Sequence, residues 1–324
     1  MSSGAPCFIP FIAIAAAFLP AFAQESRNFD PGNPAAYGYA LTFSDDFTAP
    51  NSIDLKDTGS PGFNWYLRQF FGHKATPRSA ISFEGGMLTL APDEKTANAN
   101  LITAAPARNA QGWIGRAFGG GAYFEASLRF DAKTVNHENG WPSFWSMAVE
   151  HLAGKGASQW PGQPAGYEHF IEDDFFEYDT MWAGAATYGG AVHDWYGKWK
   201  ETCPSFCSIA NAGGPSGLNN FVIHVPAGTD WTLFHTFGQL WIAGNSANGN
   251  RGYLQYYFDG QPTSDKISWL DVYGPEVPPP SGSNIFSIID KQHLALVLGT
   301  GAHQSVSVKR VRVWQLPGQG TVLH

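Results

Sequence analysis

His169-Phe170-Ile171-Glu172-Asp173-Asp174-Phe175-Phe176-Glu177-Tyr178-Asp179 is the stretch on which the reading of this chain turns. Five carboxylates fall within eight positions, from Glu172 to Asp179, interleaved with Phe and Tyr. Aromatic and β-branched residues favour a pleated, half-buried strand over a solvated acidic loop. Side chains of a strand alternate between its two faces, so Glu172 and Asp174 share one. Strict alternation would place Phe176, not Glu177, beside them. One extra residue, a β-bulge near Phe175-Phe176, brings Glu177 round to the same side. The outcome is a row, Glu-x-Asp-x-x-Glu, on one face of a sheet.

Such a row suits glycoside hydrolysis, in which two carboxyl groups flank one bond, roughly 5–5.5 Å apart in retaining enzymes. Less the bulge residue, Glu172 and Glu177 are about four strand steps apart, roughly 13 Å between Cα atoms. Long Glu side chains leaning together can close most of that gap. Asp174 between them would raise the pKa of a neighbour and help one Glu stay protonated. The bland alternative is an acidic sheet edge that deters aggregation, but such edges favour Lys and mixed polar residues over acids set among Phe.

The rest of the composition agrees with an all-β chain. Aromatics make up 15% of the 324 residues, with 37 Gly and 22 Pro, while charged residues are held to 14%. That mix predicts strands, turns and long loops in one sandwich-sized domain. A net charge of −8 favours a neutral or cationic partner over nucleic acid or an anionic membrane. Residues 1–23 carry no Lys, Arg, Asp or Glu and end Ala21-Phe22-Ala23, a small-x-small cleavage pattern. They read as a signal peptide, with an uncleaved anchor as the alternative, and place the protein in a secreted or periplasmic setting. Cys203 and Cys207 would remain after cleavage and could close a small disulfide there. Without clustered His or Cys they make a poor zinc site.

Along the chain, residues 24–38 read as an extended lead-in. Met87-Leu88-Thr89-Leu90 follows a Gly85-Gly86 turn. From Tyr123 to Phe130 the residues alternate, Phe124, Ala126, Leu128 and Phe130 against Tyr123, Glu125, Ser127 and Arg129. That fits a strand with one side in a core and the other in a wet groove. In Gly140-Trp141-Pro142-Ser143-Phe144-Trp145, alternation puts Trp141 and Trp145 on one face with Ser143 between them. Two such rings can make a platform for sugars, although most Trp pack in cores. Residues 151–167 read as a Gly/Pro-rich loop. Trp182, Tyr188, His193, Trp195 and Trp199 crowd a Gly-rich region and suggest a groove wall; a structural role for His193 is equally open. Further strands are expected at Thr232–Ala243, Tyr253–Phe258 and Leu294–Leu298. Asp259-Gly260 signals a tight turn, residues 261–287 a long surface loop, and Lys309-Arg310 a bulge in the last strand.

Taken together these residues resemble glycoside hydrolase family 16. The resemblance rests on the ordered set Gly121-Ala122-Tyr123-Phe124-Glu125-Ala126, Gly140-Trp141-Pro142-Ser143-Phe144-Trp145 and Glu172-x-Asp174-x-x-Glu177. It continues through Phe234-His235-Thr236-Phe237-Gly238, Tyr257-Phe258-Asp259-Gly260 and Val311-Arg312-Val313-Trp314. It implies a concanavalin-like jelly-roll sandwich of two antiparallel sheets with a substrate groove on the concave face. It implies endo-acting, retaining hydrolysis, with Glu172 as nucleophile, Glu177 as general acid/base and Asp174 orienting and tuning them. Trp141 and Trp145 would line the groove. Three positions depart from the family's pattern. Asp173 stands where an aliphatic residue is usual, Ser127 where an Arg groove contact is common, and Lys309 where an acid often helps hold calcium.

The sequence therefore predicts a signal peptide (1–23), the lead-in (24–38), a catalytic domain (39–318) and a short tail (319–324). The expected activity is hydrolysis of β-1,3- or mixed β-1,3/1,4-glucan by a monomer that binds no nucleic acid and, once cleaved, no membrane. Site residues are Glu172, Asp174 and Glu177 for catalysis and Trp141, Trp145, Trp182, His193 and Trp195 for substrate, with no cofactor and no metal. A transglycosylase on the same scaffold and a non-catalytic carbohydrate-binding protein are the alternatives.

Overall fold

The computed structural model describes residues 29–68, 74–108, 112–150, 168–197, 207–208, 220–270 and 287–324. The expected signal peptide, the 151–167 loop, Trp199 and Cys203, and with Cys203 the disulfide, lie outside the described residues. So does the stretch 271–286.

The chain folds as an all-β jelly-roll sandwich of two large antiparallel sheets. The front sheet runs, in hydrogen-bonded order, Cys207–Ser208, Thr187–Gly197, Glu168–Glu177, Ser143–Ala148, His293–Gly301, Ala117–Gly119 and Thr321–Leu323. Asn220–His224 and Asn98–Ile102 pair onto it. The back sheet runs Gln261–Pro262, Arg251–Phe258, His235–Ile242, Ala122–Phe130, Val306–Gln315, Met87–Leu90 and Ile81–Glu84. Ala40–Asp45 and Ile267–Leu270 add to it. Among the described residues no helix is long and apolar enough to cross a membrane.

Alternation sets the inner faces. From the back sheet Phe124, Ala126, Phe237, Trp241, Tyr256, Val311 and Val313 turn inward and are buried. From the front sheet Phe144, Ile171, Phe175, Phe176, Leu296 and Leu298 meet them. Phe175 stacks on Phe124 at 4.9 Å, and Phe176 meets Phe237 at 4.0 Å. Two positive-φ residues, Asp259 (47°) and Gly260 (79°), make the tight turn after Phe258. The last long strand shifts register between Val308 and Arg310, as its apolar pattern predicts.

Some expectations need correction. The polar side of Ala122–Phe130 lines no wet groove. The strand belongs to the back sheet, and that side is covered: Phe29 and Tyr257 pack on Tyr123, and Arg310 and Arg312 lie within 4.0 Å of Glu125. Ser127 is thus remote from the acid row, and an Arg there could not be a groove contact. The expected 261–287 loop contains two strands, Gln261–Pro262 and Ile267–Leu270, and buries Trp269. Residues of the expected tail form the strand Thr321–Leu323 against Ala117–Gly119. The lead-in includes a 3-10 turn, Pro34–Tyr37, instead of running extended throughout.

Candidate active site

The acid strand Glu168–Glu177 lies between Ser143–Ala148 and Thr187–Gly197. Asp174 pairs with Trp145 on one side and Ala191 on the other, while Glu177 pairs with Ser143 and Gly189. Three residue steps on the acid strand thus match two on each neighbour. The extra residue is taken up at Phe175-Phe176, whose rings are both fully buried. Glu172, Asp174 and Glu177 therefore share the outer face of the front sheet with Ser143 and Trp145. His193 is opposite Glu172, and its Nε2 is 3.4 Å from Asp174 Oδ2.

A wall stands over Glu177. Trp141 Nε1 donates a hydrogen bond of 2.8 Å to Glu177 Oε1. Trp182 meets Trp141 edge-on, with centroids 5.7 Å apart and an interplanar angle of 76°. The Trp182 ring lies across Gly189, where a Cβ would fall 2.1 Å from its Nε1. Only glycine lets the ring settle there. Trp182 remains 38% exposed, which leaves it free to meet a ligand. Trp145 is part-buried and packs partly into the core. Trp195 pairs through its backbone with Phe170 and Ser208; its ring is outside the described side chains.

Sequence reasoning missed a support behind Trp141. The His137 ring stacks on it, 5.7 Å away and 4° from parallel. His137 Nδ1 lies 2.8 Å from Asp179 Oδ2, and buried Asp179 also accepts from the Met181 amide at 2.9 Å. Asp179 stood within the acidic run, but nothing in the sequence paired it with His137, 42 positions earlier.

Burial sets the electrostatics. It pushes Glu177 up to about 7; the Trp141 hydrogen bond and His193 oppose the rise, while Glu172 and Asp179 add to it. Asp174 is raised well above the carboxylate range by burial first, then by Glu177 and Asp173. The middle acid of the row is thus itself pushed toward its neutral form. A carboxyl that keeps its proton near neutral pH, as the raised Glu177 does, is suited to general acid work. Among the described residues, no group of three or more His, Cys, Asp or Glu is arranged to hold a metal ion. A cavity of about 390 Å³ opens on the outer face of the back sheet, between Phe29, Tyr37, Tyr253 and Trp269. Among the described residues no carboxylate lines it.

No family model and no curated protein matches the chain. Solved structures do. Over 87% of this chain it resembles a GlcNAcα1-4Gal-releasing endo-β-galactosidase from Clostridium perfringens, with a TM-score of 0.51 and 14% identity. The match spans 64% of that enzyme's length. An endo-1,3-β-glucanase from Streptomyces sioyaensis matches over 86% of this chain and 96% of its own, with a TM-score of 0.48 and 18% identity. A pseudo β-1,3-glucanase of Mycobacterium tuberculosis matches over 85% and 98%, with a TM-score of 0.44 and 17% identity. At these identities the likeness is one of fold, and function must be argued from the acid row itself.

Proposed function

We propose that the protein is a secreted, endo-acting, retaining glycoside hydrolase of β-linked polysaccharide, with β-1,3- or mixed β-1,3/1,4-glucan as substrate. The observation that carries the proposal is the bulge. It puts Glu177, with its raised pKa and its Trp141 hydrogen bond, on the face that already holds Glu172 and Asp174.

In the proposed mechanism, a Glu172 carboxylate oxygen attacks the anomeric carbon as the glycosidic C–O bond breaks. Glu177 hands its proton to the departing oxygen, leaving a glycosyl ester on Glu172. Water then gives a proton to Glu177 and attacks the same carbon, releasing Glu172. Two inversions return the product to the β configuration. Asp174 lies between them on the same face of the strand and orients them, and Trp141 and Trp182 offer ring faces to the sugars.

The test is to incubate the protein with β-glucans and β-galactans and to follow products by chromatography and proton NMR. The expected result is internal cleavage of a β-glucan with the β anomer appearing first. Sugar-to-sugar transfer without net hydrolysis would indicate a transglycosylase. Binding without cleavage of any member would overturn the enzymatic reading.

A further inference from the structure

We infer that Asp173 is a positioning residue held as a neutral acid: its carboxyl and the Gln239 carboxamide close a two-hydrogen-bond ring across the core, fixing the strand that presents Glu172 and Asp174. Asp173 is fully buried on the inner face of the acid strand, opposite Ser146 and Val192. Gln239, equally buried, faces it from the back sheet and donates from Nε2 to Asp173 Oδ1 at 2.8 Å. The remaining atom of each group, Asp173 Oδ2 and Gln239 Oε1, is buried with no hydrogen-bond partner. Both are acceptors if Asp173 is ionised, so each would be left unsatisfied at considerable cost. A single proton on Oδ2, donated to Oε1, satisfies both.

The surroundings favour that proton. Ser146 Oγ donates to the Asp173 carbonyl, not to its carboxyl. The Tyr256 hydroxyl, from the back sheet, donates to the Asp174 carbonyl at 3.2 Å. No cation among the described residues bears on Asp173, and burial pushes it up to about 8. Its position explains why it matters to the site. Between Glu172 and Asp174 the backbone is tied through Asp173 to the opposite sheet, immediately before the bulge. An ionised Asp173 would keep the bond from Gln239 Nε2, lose the one from its own Oδ2 to Gln239 Oε1, and raise Asp174 further.

The kinetic part of the test rests on the glycosidase reading; the spectroscopic part does not. Asp173→Asn keeps the ring, since its amide donates to Gln239 Oε1 and accepts from Nε2. Asp173→Ala removes it. Infrared difference spectra of the whole protein at mildly acidic pH, wild type minus Asp173→Asn, should show a protonated-carboxyl band that shifts in D₂O. On β-glucan, Asp173→Ala should lower kcat by about tenfold or more with KM little changed, while Asp173→Asn restores kcat. Loss of a carboxylate band instead, or an Asp173→Asn variant as slow as Asp173→Ala, would overturn the inference. If the wild type cleaves no glycan, the glycosidase reading fails and the infrared result still decides the state of Asp173.

Discussion

At the residue scale the proposed chemistry centres on Glu177 and the indole above it. A general acid works only while it holds its proton, so activity should fall as pH rises through about 7. The Trp141 N–H favours the charged carboxylate and pulls the pKa down. Trp141→Phe removes that donor and keeps a ring. The alkaline limb of its kcat–pH profile should therefore move to higher pH; a limb that stays put or moves lower would contradict the assignment. The three acids of the row were legible from period-two alternation plus one inserted residue, because side-chain direction in a strand is a local property. The His137–Asp179 pair behind Trp141 was not, because it depends on two loops meeting in space.

At the scale of the element, the bulge works because two rings occupy one inward step. Phe175 lies between Phe124 and Phe144, at 4.9 and 4.8 Å. Phe175→Ala should cost about 3–5 kcal/mol, read as a lower urea midpoint with an unchanged m-value. A loss under about 1 kcal/mol would mean that the ring is replaceable there. Most long strands announced themselves through alternating Val, Leu, Phe and Tyr. Thr187–Gly197 did not, because Gly189 and Gly190 interrupt its pattern. They do so for tertiary reasons: the Trp182 ring covers the first and the Tyr256 ring the second. Ile267–Leu270 was hidden by its shortness and by the Pro-rich sequence after it.

For the molecule as a whole, the buried acids make stability depend on pH in a definite direction. Asp173 moves from an ordinary 3.8 to about 8 on folding, and Glu177 from 4.5 to about 7. Between those limits the folded chain holds protons that the unfolded chain releases. Their contribution is full below about pH 4, declines as pH rises and is gone above about pH 8. The urea midpoint should therefore be higher at pH 5 than at pH 8, and Asp173→Asn should flatten the slope. A midpoint that rises over this range would contradict the buried-acid picture. Sandwich architecture was legible from composition and alternation, but alternation assigns a face without saying which sheet the strand joins. That is why Ala122–Phe130 was expected beside the groove and lies in the other sheet.

The most direct test of the central claim is the stereochemistry of azide rescue in Glu177→Ala acting on an activated aryl β-glucoside. Without the proposed acid/base, the variant should still form the ester on Glu172 and then stall. Azide needs no base, so it should restore turnover and give the β-glycosyl azide, with configuration retained. An α-glycosyl azide from this variant would mean that Glu177, not Glu172, is the nucleophile. Wild-type turnover without azide would mean that this strand does not carry the reaction.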